Sequence, residues 1–113
     1  MDGPKQRIVQ ELVPGKQITL AHIIANPVAA VGEKLGAAGR GAIGVLTVSP
    51  AETAIIAADI AAKSGGVDLA VVNHLSGSLI VTGSVSEVEA AISAIMGFAA
   101  EKLGFETCAV TKT

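Results

Sequence analysis

The chain has 113 residues, with 10 acidic and 8 basic side chains and a formal net charge of −2, room for one domain and no separate catalytic module. That balance recruits neither nucleic acid nor an anionic membrane, and the aromatics available for base stacking are reduced to Phe98 and Phe105. Half of the residues are hydrophobic and the mean hydropathy is +0.61, a surplus for a small domain whose surface must mostly be wetted. The surplus can go into a bilayer or against further copies of the chain. The longest uncharged stretch, Leu69 to Ser86, is broken by Asn73, His74, Ser76, Gly77, Ser78, Gly83 and Ser84 and reads as a hairpin. A second one, Gln17 to Gly32, carries Pro27 and a helix-start signal. Self-association is therefore expected, and membrane insertion is not.

Residues 1–5 read as a flexible tail, with no apolar block and cleavage site to make a secretory signal. Gln6 to Val13 has no helical period and stops at Pro14-Gly15, so a short strand is expected there. Gln17 to Ala25 reads as a longer β-branched strand. Asn26-Pro27 then predicts a helix start, Asn as N-cap and Pro at the first position, for a helix over Val28 to Leu35 that Gly36 ends.

Ala42 to Val48 predicts a compact apolar strand. Ser49-Pro50-Ala51-Glu52 reads as a capping box opening a helix to Ser64, lined by Ala51, Ala54, Ala57, Ala58, Ala61 and Ala62 and ended by Gly65-Gly66. Asp68 to Leu75 and Ser78 to Thr82 predict a hairpin across Ser76-Gly77. Ser84 with Glu87, or Ser86 with Glu89, caps a last helix to Leu103. Gly104 stops it, and Phe105 to Thr111 is expected to be a final strand. The expected order is β-β-α-β-α-β-β-α-β, an α+β sandwich of ferredoxin-like type with helices on one face of a mainly antiparallel sheet.

Few residues suggest chemistry. Gly39-Arg40-Gly41-Ala42-Ile43-Gly44 matches GxGxxG, but a dinucleotide fingerprint needs a strand before the glycines and a helix after them, the reverse of the order here. Gly39 and Gly41 are better read as a hinge between two structural halves. His22, His74 and Cys108 lie on three separate segments without paired spacing, so no metal site is expected. His22, inside an apolar strand, is expected to be a satisfied, partly buried imidazole. The lone Cys108 excludes an internal disulfide and reads as a small buried hydrophobe. No catalytic set can be nominated from spacing, and no cofactor is implied. Asp59 and Lys63 are a helical i,i+4 pair on a solvated face, or Lys63 projects from the helix end towards a neighbour.

Two runs carry a resemblance. Glu11 to Pro27, ELVPGKQITLAHIIANP, and Ala57 to Val85, AADIAAKSGGVDLAVVNHLSGSLIVTGSV, followed by SEVEAAISA, closely resemble the circularly permuted single-domain shell proteins of bacterial microcompartments. These are the type found in ethanolamine-, propanediol- and choline-utilisation organelles. The resemblance spans Gln6 to Thr113. It implies a structural shell subunit of the bacterial cytoplasm, not an enzyme, with residues 6–15 as an added N-terminal strand and 16–113 as the permuted domain. The implied partners are five further copies in a homohexamer, other shell proteins edge to edge, and encapsulated enzymes. Lys63 falls on the family's edge lysine, and Asn26 falls where unpermuted members carry an edge arginine, without that group's charge and fork. Leu75, Ser76, Gly77 and Ser78 match the hairpin around the central pore.

The resemblance further implies that six copies of Gln6 to Val13 close into a β-barrel over the axis, which removes their exposed edges. Strand alternation offers Ile8, Gln10 and Leu12, or Val9, Glu11 and Val13, as the inner face. Like charges about 4 Å apart at an effective dielectric of about 20 repel by about 4 kcal/mol. A ring of Glu11 is thereby disfavoured, whereas Gln10 amides can bond around the circle. Ile8, Gln10 and Leu12 are therefore expected inward and Glu11 outward, giving a plugged axis that seals or gates the shell. The competing expectation is a ligand-binding ferredoxin-like regulatory domain, a dimer or trimer. A tautomerase-like enzyme is weaker, since no proline follows Met1.

Overall fold

A computed structural model describes residues 15–36 and 41–113. The strand expected over Gln6 to Val13, with its barrel residues Ile8, Gln10 and Leu12, and the hinge residue Gly39 lie outside the described residues. The elements in chain order are β1 (Gln17–Ile24), α1 (Ala29–Lys34), β2 (Ala42–Ser49), α2 (Thr53–Ser64), β3 (Asp68–Asn73), β4 (Ser78–Gly83), α3 (Val85–Lys102) and β5 (Thr111–Lys112). They build one five-stranded sheet in the order β3-β4-β2-β1-β5. Every pairing is antiparallel except β1 with β5, which run parallel. This is the expected mixed α+β architecture with a mainly antiparallel sheet.

Helices α2 and α3 pack on each other and on the sheet face that carries Ile18, Ala21, Ile23, Leu46, Val48, Leu79 and Val81, and these residues form one core. Small side chains let the layers approach closely. Ala54, Ala57, Ala58 and Ala61 are the buried face of α2; Ala62 is exposed and Ala51 lies in the turn before the helix, so the expected alanine stripe is narrower than six. Gly44 in β2 lies directly beneath α3. A Cβ there would come within 2.8 Å of a Val88 methyl, 3.0 Å of Val81 and 3.1 Å of Ile92.

Helix α3 opens with the Ser84 and Glu87 box. The Glu87 amide donates to Ser84 Oγ at 3.1 Å and the Ser84 amide donates to Glu87 Oε1 at 2.8 Å. Both bonds satisfy amides that a helix start otherwise leaves without partners. The expected glycine stops stand: Gly36, Gly65, Gly66 and Gly104 all have positive φ, and each follows a helix end.

Two expected caps are corrected. Helix α1 is capped by extended Val28 with no side-chain bond, and the Val31 and Gly32 amides both donate to the Val28 carbonyl at 3.1 Å. Asn26 is thus two residues before the cap, out of reach. Helix α2 begins at Thr53, not at Pro50. The Thr53, Ala54 and Ile55 amides donate three residues back to Pro50, Ala51 and Glu52, so a tight turn replaces the Ser49 hydroxyl. The expected last strand also shrinks. Phe105 turns into the core at 8% exposure, Gln17 and Glu106 form an isolated bridge, and ladder pairing resumes only at Thr111–Lys112.

Candidate functional site

The residues singled out in the sequence fall on three separate surfaces. At the β3–β4 turn, Asn73 organises the hairpin tip: its Oδ1 accepts from the Leu75 amide at 2.9 Å and the Ser76 amide at 3.0 Å. The Gly77 amide donates to the Asn73 carbonyl at 2.9 Å, and the Val48 amide donates to the Gly77 carbonyl at 2.8 Å. Gly77 is buried with φ of +79°, and a Cβ on it would lie 2.3 Å from the Val48 carbonyl oxygen. Only glycine fits there. Ser76 Oγ donates to Ser78 Oγ at 3.0 Å. The rigid tip presents Leu75, 82% exposed, with His74 exposed beside it.

Lys63 stands on the last turn of α2, 2.7 Å from Asp59. Both line an open groove between α2 and α3, about 460 Å³, with Ile56, Ile60, Ser64, Ala94 and Phe98. The groove was not foreseen from the sequence; its signal is Phe98, one of two aromatics, one helical turn after Ala94. Asn26 is exposed on the third surface, lining a concavity of about 340 Å³ with Ile24, Pro27, Val28, Val31 and Thr113. Gly41 is exposed with ordinary van der Waals space for a Cβ.

His22 is half-buried as expected, with Nδ1 2.6 Å from Thr111 Oγ1 and Nε2 2.9 Å from Thr113 Oγ1. Cys108 is half-buried and packs against the core. Among the described residues no three His, Cys, Asp or Glu side chains gather as metal ligands. Among the same residues no helix is long and apolar enough to cross a membrane.

What the described surface offers most is uncovered apolar area. Leu20, Val28, Val31, Ile55, Ile56, Leu69, Val72, Leu75, Phe98 and Val110 are all 40% exposed or more. The described residues thus define an α+β domain that carries several exposed large apolar side chains on its helices, strands and turns. The model of the BMC domain matches residues 42–110. The bacterial microcompartment shell protein CutR of Streptococcus intermedius is 49% identical over 111 residues, 98% of this chain and 96% of that protein. The shell protein EutS of Escherichia coli K12 is 44% identical over 109 residues, 96% and 98% of the two chains. The shell protein PduU of Salmonella typhimurium is 46% identical over 108 residues, 95% and 93%. Among solved structures, a CutR flat hexamer superposes with a TM-score of 0.84 at 48% identity, covering 89% of this chain and 93% of that one. A CutR screw form gives 0.85 at 47% identity, covering 88% and 100%. The chain belongs to the BMC-domain family of bacterial microcompartment shell proteins.

Proposed function

We propose that this chain is a structural subunit of a microcompartment shell in the bacterial cytoplasm, six copies of which form a tile. The observation that carries the reading is the full-length likeness to a shell protein whose solved forms include a flat hexamer. The apolar area left bare on a domain of this size supports it, because closed rings hide such area against identical copies. The work of such a subunit is to enclose, not to catalyse.

Within the tile, Lys63 lies at the edge that meets other shell proteins, with Asn26 at a second edge position. The Ser76-Gly77-Ser78 tip faces the axis, and Gly39 with Gly41 is a hinge. Circular permutation is supported by the family match beginning at Ala42 while β1 and α1 precede it. Ile8, Gln10 and Leu12 line the inside of an N-terminal barrel that closes the axis. Encapsulated enzymes are the partners on the inner face.

Native mass measurement with electron microscopy of the purified chain tests the assembly. Hexamers and extended arrays are expected; a monomer that persists on concentration overturns the reading. A chain lacking residues 1–14 tests the plug separately. Shells carrying it are expected to leak small solutes faster, and unchanged permeability removes the gating role while leaving the tile.

A further inference from the structure

Strand β1 would be the edge of the sheet without the C-terminal segment. Its sequence, QITLAHII, has no Asp, Glu, Lys, Arg or Pro and includes β-branched Ile18, Thr19, Ile23 and Ile24, a composition that pairs readily with another strand. The C-terminal segment covers this edge at two unequal anchors. At the root, Phe105 is buried, the Ile18 amide donates to the Glu106 carbonyl at 2.8 Å, and the Glu106 amide donates to the Lys16 carbonyl at 2.9 Å. At the tip, the Thr113 amide donates to the Ile23 carbonyl at 2.9 Å and the Ala25 amide donates to the Thr113 carbonyl at 2.8 Å.

The His22 imidazole clamps the tip by holding Thr111 and Thr113 at once, one hydroxyl on each ring nitrogen. Lys112 adds an exposed ion pair with Glu89. Residues 107–110 have no regular structure, and 109–113 are all exposed. The root is held by burial; the tip, exposed along its length, is held by hydrogen bonds, among them Thr111 Oγ1 to the Ala21 carbonyl at 3.4 Å, and by a half-covered Val110 beside Ile23 and Ile92. Such segments open at a small fraction of the cost of global unfolding.

We propose that residues 109–113 are a releasable strap over a self-pairing edge: docked, they close β1; lifted, they leave β1 to pair antiparallel with β1 of a second copy. An antiparallel pair of identical strands is two-fold symmetric, so the same residues meet from both sides and no like charges face each other. The edge on the far side of the sheet, β3, begins instead with Asp68. The inference is independent of the hexameric tile, because it compares strap variants with the wild type in whatever assembly that forms.

The test uses amide exchange at Ala25, whose hydrogen bond exists only when the strap is docked. Thr111→Val with Thr113→Val removes both hydroxyls at exposed positions while keeping side-chain shape, and a chain ending at Val110 removes the tip. In dilute protein both variants are expected to exchange Ala25 about tenfold faster than wild type or more. On concentration, protection should return together with added mass. Thr113→Ser, which keeps the hydroxyl, should behave as wild type. Unchanged Ala25 exchange in the double valine variant overturns the clamp. Fast exchange at every concentration without added mass overturns the self-pairing edge. Should the truncated chain not fold, the valine variant alone decides. The mass of the wild-type assembly reports on the tile separately.

Discussion

Lys63 Nζ lies 2.7 Å from Asp59 Oδ2, one turn back along α2, with both side chains largely in solvent. An exposed pair of this kind adds little to stability and instead biases where the lysine points. Lys63→Ala is therefore expected to change the unfolding free energy by no more than about 0.5 kcal/mol. The same variant should lose extended arrays in electron microscopy while keeping its ring mass. Arrays that persist would remove Lys63 from the tile edge.

Gly77→Ala should be among the more damaging single-methyl additions. The residue sits at φ +79°, and the new Cβ would press on the Val48 carbonyl at 2.3 Å. Backbone strain and the clash together predict a loss of roughly 2–4 kcal/mol in urea unfolding. Because Val48 donates to Gly77, amide exchange should quicken at Val48 first.

Gly44→Ala tests the close contact beneath α3 by a different route. The neighbours are branched side chains, Val88 and Ile92 on α3 and Val81 on the adjacent strand β4, and the 2.8 Å approach to Val88 is relieved by displacing that side chain or the helix that carries it. Overpacking of this sort costs about 1–3 kcal/mol, read as a lower denaturation midpoint at unchanged slope. A neutral result would mean that α3 sits further from the sheet.

Ser84→Ala removes one half of the box that starts α3 and strands the Glu87 amide. A loss of about 1 kcal/mol is expected by chemical denaturation. Ser86→Ala should do nothing comparable, since Ser84 is the N-cap.

The sequence carried most of the strands, because β-branched runs bounded by Gly and Pro leave few alternatives. It carried the ends of the helices less well. Ser49 and Asn26 have the chemistry of caps, yet backbone carbonyls at Pro50, Ala51, Glu52 and Val28 take the helix-start amides instead. Composition cannot distinguish these solutions, since both satisfy the same donors. The final strand was overextended for another reason: burial of Phe105 pulls the chain off the ladder between Glu106 and Thr111. Family resemblance singles out Lys63 and the Ser76-Gly77-Ser78 tip, and their roles in the tile belong to the proposal. The α2–α3 groove depends on two helices meeting, which no single segment encodes.

The alanine face of α2 and the bare backbone of Gly44 set how near the helices stand to the sheet at those points. Enlarging any of these residues would push the layers apart and tilt the surfaces they carry. A methyl group added deep inside the domain would thus be felt at its outer faces.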